Sequence, residues 1–152
     1  MIQYALCSSP FGALLIGWDT DGVVSVRLTS ESPPENLSDS TMHPVISQLQ
    51  EYFSGIRKDF DLTLAPKGTP FQKLVWRELM NIPYGQTRTY GEIAAAIKKP
   101  GAARAVGMAC NKNPIWLLIP CHRVVGKSGS LTGYAGGLPM KQALLELEQA
   151  YL

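Results

Sequence analysis

The stretch TYGEIAAAIKKPGAARAVGMACN, residues 89–111, decides the fold of the second half of the chain. Thr89 is a helix cap, and Ile93, Ala94 and Ile97 share one face of a helix over Tyr90–Ile97. Pro100-Gly101 interrupts that pattern and opens a further helix, Ala102–Asn111. Two short helices joined by a tight Pro/Gly turn predict a helix-turn-helix. Five of the nine residues from Ala102 to Cys110 are Ala or Gly, and Arg104 is the one charge among them. Small side chains let a backbone approach another surface closely. That surface is either a DNA groove, with Arg104 filling the place of an extruded base, or a neighbouring helix, with Arg104 at the solvent edge.

Outward from this stretch, Thr69 caps an upstream helix with Pro70 at its first position and Phe71, Val75, Trp76, Leu79 and Met80 as its apolar stripe. Pro83-Tyr84-Gly85-Gln86 reads as a turn. Downstream, Lys141–Glu148 is an amphipathic helix with Leu144, Leu145 and Leu147. The first half has a different character. Ile2–Ser8, Gly12–Asp19 and Val23–Leu28 read as strands, with Asp21-Gly22 as a hairpin turn. Glu31–Thr41 is a polar loop. His43–Phe53 is a helix closed by Gly55, and Phe60–Leu64 is a fourth strand candidate.

Composition divides the chain at the same place. Residues 1–67 carry four Lys/Arg and eight Asp/Glu, residues 68–152 ten and four, so net −4 faces net +6. A basic half beside an acidic one suits a nucleic-acid binder carried on a scaffold. The Ala65-Pro66-Lys67-Gly68 stretch is the expected linker, giving domains 1–67 and 68–152. No apolar run reaches the ~20 residues of a membrane span, and Met1–Leu6 has no basic leader. Three cysteines, Cys7, Cys110 and Cys121, give an odd count without a CxxC pair, which argues for a reducing, cytoplasmic setting and against disulfides or structural zinc.

The chemistry concentrates at Pro120-Cys121-His122-Arg123-Val124, after the apolar run Ile115–Ile119. A thiol beside an imidazole and a guanidinium has the neighbours that turn it into a thiolate nucleophile. Asn113-Pro114 lies upstream, Arg104-Ala105-Val106-Gly107 before that, and Gly133-Tyr134-Ala135-Gly136-Gly137 downstream.

Together these segments resemble the O6-alkylguanine-DNA alkyltransferases, the methylated-DNA–protein-cysteine methyltransferases, over residues 68–148. The resemblance implies an α+β protein: a small N-terminal antiparallel sheet with a helix, ribonuclease H-like, and a mainly helical, winged-helix-like C-terminal domain. It implies irreversible, single-turnover transfer of an alkyl group from O6-alkylguanine in flipped-out DNA to Cys121, with O4-alkylthymine left open as a second substrate. His122 is then the general base acting through a water, and Glu148 orients it. Asn113 braces the turn that holds the cysteine. Tyr90 contacts the flipped base and supplies its proton. Arg104 is the intercalating finger of a DNA-binding helix that includes Ala102, Ala103 and Gly107. Tyr134, Val124, Ala135, Gly136 and Met108 frame the base pocket. No cofactor and no metal is implied, since Cys7 and His43 alone do not make a zinc site. The implied partner is double-stranded DNA containing O6-alkylguanine, met by a monomer that leaves room for cooperative assembly along DNA, with no membrane role.

Two other functions fit parts of the pattern. A thiolate–imidazole pair also serves a cysteine hydrolase, which would release product repeatedly. A binding module that marks alkylated DNA without repairing it would use the same helix-turn-helix and Arg104.

Overall fold

The computed structural model describes residues 1–29, 37 and 43–152; the expected loop 31–41 thus lies outside the described residues except for Leu37. Strands β1 (Gln3–Ser9), β2 (Gly12–Asp19) and β3 (Gly22–Leu28) form an antiparallel meander in that order. Cys7 stands opposite Leu14 and Ala5 opposite Ile16. Leu14, Leu15 and Ile16 are consecutive and all buried, so the central strand is covered on both faces. Helix α1 (Pro44–Phe53) packs against β1 and turns Val45, Leu49 and Tyr52 inward. His43, expected inside this helix, is its cap: Nδ1 accepts the Val45 N–H at 3.1 Å. Gly55, just past the end, takes the left-handed φ of 79° that favours glycine.

The outer edge of β3 joins the two halves. Val23 N–H donates to Thr63 O at 2.9 Å, and Ala65 N–H donates to Val23 O at 2.8 Å. Further along, Val26 N–H donates to Pro114 O at 2.9 Å, and Trp116 N–H donates to Val26 O at 3.0 Å. The sheet therefore carries the apolar run that precedes Cys121. The strand expected over Phe60–Leu64 is reduced to a single bridge between Val23 and Leu64. Pro66 has no N–H to extend the pairing.

The second half comprises α2 (Pro70–Leu79), β4 (Arg88–Thr89), α3 (Tyr90–Ala96), α4 (Ala103–Asn111), a 3₁₀ turn (Cys121–Arg123), β5 (Val124–Val125), a second 3₁₀ turn (Lys127–Gly129) and α5 (Leu138–Ala150). Thr69 with Gln72, and Thr89 with Glu92, form reciprocal capping boxes. A cap of this kind is worth about 1 kcal/mol, which matters for helices of ten and seven residues. Helices α3 and α4 form the helix-turn-helix, and α2 packs on α4. Trp76 Nε1–H donates to Ala109 O at 2.8 Å, so one side of α4 is a tight helix contact. Arg104 and Met108 lie on the opposite, exposed side. Met80, expected in the apolar stripe of α2, caps that helix and is exposed.

Helix α5 is longer than the expected Lys141–Glu148 because Pro139 sits in its first turn, where a missing N–H costs nothing. Met140, Lys141, Leu144 and Glu148 face inward, while Leu145 and Leu147 are half-buried. One apolar cluster runs from Ala5 and Ile16 through Leu49 and Trp76 to Ile119 and Leu144, so both halves share a core. Among the described residues no helix is long and apolar enough to cross a membrane.

Gly22 opens β3 with φ 141°, and a Cβ there would stand 2.5 Å from Thr63 O. Gly22→Ala is expected to lower the unfolding free energy by roughly 1–3 kcal/mol. Gly101→Ala, where a Cβ meets nothing within 4 Å, should change it by less than about 0.5 kcal/mol. Denaturant melts of the two variants against the parent check both values.

Candidate active site

The segment from Asn113 to Cys121 is a loop held by one side chain. Asn113 Oδ1 accepts the Ile115 N–H at 2.9 Å, and Nδ2 donates to Ile119 O at 3.0 Å and to Cys121 Sγ at 3.2 Å. Leu117, with φ 74°, makes the reversal inside the loop. With Asn113 buried and its amide fully engaged, the thiol cannot swing away. Cys121 is 3% exposed. Burial pushes its thiol up to about 11, against the lowering influence of the Asn113 hydrogen bond and the Lys141 charge. The resting group is therefore a neutral thiol, not the ionised one expected from its neighbours, and a base must take its proton during reaction.

His122, the next residue in the chain, is fully buried. Its Nε2 lies 2.7 Å from Glu148 Oε2. An ionised carboxylate only accepts, so Nε2 carries the proton and Nδ1 is the bare acceptor. No residue among those described hydrogen-bonds Nδ1. Burial lowers the imidazole below its ordinary value; Glu148 raises it in part, and the Arg123 and Lys141 charges lower it further. Arg123 is buried as well: Nε and Nη2 form a fork on Glu148 at 2.9 and 3.0 Å, and Nη1 donates to Ile82 O at 2.8 Å. Burial alone would push Glu148 up, but His122 and Arg123 together hold it well below the usual carboxylate range.

The remaining predicted residues fall into two groups. Tyr90, Ala103, Arg104, Gly107 and Met108 line an open groove of about 880 Å³ along α3 and α4. Ala102 caps α4 at the edge of this face, half-buried. Cys121 does not line the groove. Between them stands Tyr90, whose hydroxyl donates to Thr132 O at 3.0 Å. Behind that contact lie Tyr134, buried with its hydroxyl unpaired among the described residues, and Val124, whose strand β5 pairs parallel with β4. Gly136 packs so closely on Met140, Tyr134 and Trp116 that a Cβ would sit 2.6 Å from the Met140 sulfur. Ala135 is exposed.

The structure also brings in residues the sequence did not single out for the site. Lys141, fully buried, donates from Nζ to Thr132 O at 2.8 Å and Gly133 O at 3.2 Å, and stands 5.8 Å over the Tyr90 ring. Tyr52 of α1 donates its hydroxyl to Glu148 Oε2 at 2.6 Å, and Gly85 N–H donates to Oε1 at 3.1 Å. A sequence signal existed for Lys141 and Glu148, which share a helix face seven residues apart. None existed for Tyr52, which is 96 residues from its partner.

The lowered His122 predicts a pH dependence. The unfolded imidazole takes a proton below about 6.5, the folded one only at lower pH. Its contribution to stability is full above pH 6.5 and is lost as pH falls through the folded value. The unfolding free energy should decline below pH 6.5 by up to about 1.4 kcal/mol per unit from this group. His43, also lowered by burial, acts in the same direction. His122→Gln should flatten most of that slope in melts between pH 5 and 7; an unchanged slope contradicts the assignment.

Comparison with known proteins covers the whole chain. The family model described as the 6-O-methylguanine DNA methyltransferase DNA binding domain matches residues 70–150, and that of its ribonuclease-like domain matches residues 2–66. The methylated-DNA–protein-cysteine methyltransferase of Methanosarcina acetivorans is 48% identical, over 97% of this chain and 98% of its own. The crystal structure of Mycobacterium tuberculosis O6-methylguanine methyltransferase superposes with a TM-score of 0.91 at 43% identity, over 100% of this chain and 95% of that one. Mycobacterium tuberculosis OGT in complex with DNA gives 0.90 at 44% identity, over 98% and 94%. With both halves matched in sequence and in fold, the chain belongs to the 6-O-methylguanine DNA methyltransferase family, the methylated-DNA–protein-cysteine methyltransferases.

Proposed function

We propose that this protein repairs DNA by direct reversal, moving the alkyl group of O6-alkylguanine onto Cys121. The observation that carries the reading is the immobilised thiol, bound by Asn113 next to a buried His122–Glu148 pair, behind a helix-turn-helix face. The partner is double-stranded DNA, met along the groove of α3 and α4. Arg104 stands exposed on α4, where it enters the duplex and takes the place of the extruded base. The small residues Ala103 and Gly107 let the helix backbone come close.

In the transfer, the Cys121 proton passes through a bridging water to His122 Nδ1. The sulfur forms a bond to the alkyl carbon as the carbon–O6 bond breaks. Tyr90 offers its hydroxyl proton to the departing guanine. The Tyr90–Thr132 hydrogen bond must part for the base to reach the sulfur, with Tyr134, Val124, Ala135, Gly136 and Met108 bordering the space it enters. The product is a thioether with no easy leaving step, so each molecule acts once. A repeatedly acting hydrolase is a poorer fit: no hydrogen bond joins the thiol directly to the imidazole among the described residues, and the exposed Arg104 face has no role in it. A purely marking role leaves the positioned thiol without use. The working unit is a cytoplasmic monomer, with residues 1–67 as the supporting domain and 68–152 as the reacting one.

Incubation with a duplex containing one O6-methylguanine should raise the intact mass by one methyl group per molecule, on the peptide holding Cys121. Cys121→Ala should bind the duplex and gain no mass. Mass gain in Cys121→Ala, or none in the parent, refutes the reading. Arg104→Ala should slow transfer from the duplex tenfold or more, on the scale of a few kcal/mol for base extrusion. Its rate with free O6-methylguanine base should stay within about twofold of the parent. Equal losses on both substrates contradict the finger role.

A further inference from the structure

Among the described residues of the first 67, Tyr52 reaches the Glu148 carboxylate. The Glu148 carboxylate is met by five donors from three segments: Tyr52 Oη and His122 Nε2 on Oε2, Arg123 Nη2 also on Oε2, and Arg123 Nε and Gly85 N on Oε1. The shortest of these, at 2.6 Å, comes from Tyr52 on α1. Tyr52 is fully buried against Phe53, Phe60 and Tyr84, so its ring cannot turn away. Short contacts between a neutral hydroxyl and an ion are the stronger kind of hydrogen bond.

We infer that Tyr52 is a positioning residue for the transfer reaction: by sharing Glu148 Oε2 with His122, it fixes the imidazole and weakens the hold of the carboxylate on a protonated ring. The inference rests on the reading of His122 as the base that relays the Cys121 proton. A lone buried carboxylate at 2.7 Å would favour the imidazolium strongly, and a protonated His122 cannot accept a proton. A carboxylate whose lone pairs are already engaged attracts that proton less. The other charged or titratable groups around the pair are Arg123 and Lys141, whose charges both disfavour the imidazolium, and Tyr84, which lies 5.6 Å from the Arg123 guanidinium. Tyr52 and Arg123 thus act in the same direction on His122, one from each half of the chain.

The test is the pH dependence of single-turnover methyl transfer from an O6-methylguanine duplex, measured on three full-length variants alongside the parent. Tyr52→Phe removes the hydroxyl. The acid limb of the rate profile should move up by about one pH unit, with a several-fold loss of rate on that limb and a smaller one on the plateau. Fluorotyrosine at position 52, a more acidic donor of nearly the same shape, should move the limb down and keeps the test available if Tyr52→Phe does not fold. Tyr84→Phe alters the same aromatic cluster without touching Glu148, because the Tyr84 hydroxyl has no hydrogen-bond partner among the described residues; its limb should overlay the parent's. Profiles that keep the parent's shape in both position-52 variants overturn the inference while leaving the repair reading intact. No methyl transfer by the parent protein overturns the repair reading itself.

Discussion

The Glu148 carboxylate is the constraint around which this molecule closes. It is wholly buried, yet it remains ionised because every lone pair is met by a donor. Those donors come from α1, the turn before β4, and the 3₁₀ turn that carries the thiol. Removing one partner of such a group costs about 3–5 kcal/mol, because the other charge is left buried and alone. A single carboxylate on α5 thereby ties α1, the turn before β4 and the 3₁₀ turn that carries Cys121 into one arrangement. The shared β3 edge does the same on the opposite side, carrying residues 114–116 by backbone hydrogen bonds.

This arrangement explains how a protein can hold a neutral thiol and still use it. Deep burial disfavours both the thiolate and the imidazolium. The resting site therefore carries a neutral thiol and a neutral histidine, a state in which the sulfur is a weak nucleophile. Proton transfer is called for only when an alkyl carbon is in line with the sulfur. The Tyr90–Thr132 and Lys141–Thr132 contacts tie the wall of the open groove to the segment before α5. A reaction that consumes the protein gains from such restraint.

Much of the fold was legible because its local signals agree. Alternation marks β1 to β3, and Thr69 and Thr89 sit three residues before Gln72 and Glu92, so two helix starts follow from capping chemistry alone. The grouping of Asn113 with Cys121, and of His122 with Glu148, was legible through their combined pattern. The rest failed for identifiable reasons. Phe60–Leu64 has strand composition but only one bridge, since pairing depends on what the neighbouring edge offers. The inward face of α5 holds Lys141 and Glu148, and a reading by apolar periodicity places charges outward. Arg123 could equally be solvated or buried against a carboxylate, and its fork on Glu148 decides for the second. Tyr52 contributes from a distant segment, and nothing local distinguishes it from a core tyrosine. The protonation state of Cys121 reversed the simple expectation because burial outweighed the nearby charges.

The geometry requires a neutral His122 with its proton on Nε2 and a bare Nδ1. Nitrogen-15 NMR of the histidine rings reads this directly, and with only His43 and His122 in the chain the assignment is simple. At pH 7 the His122 ring should show one protonated nitrogen, bonded toward Glu148, and one bare nitrogen. Two protonated nitrogens, or a proton on Nδ1 instead, would contradict the account.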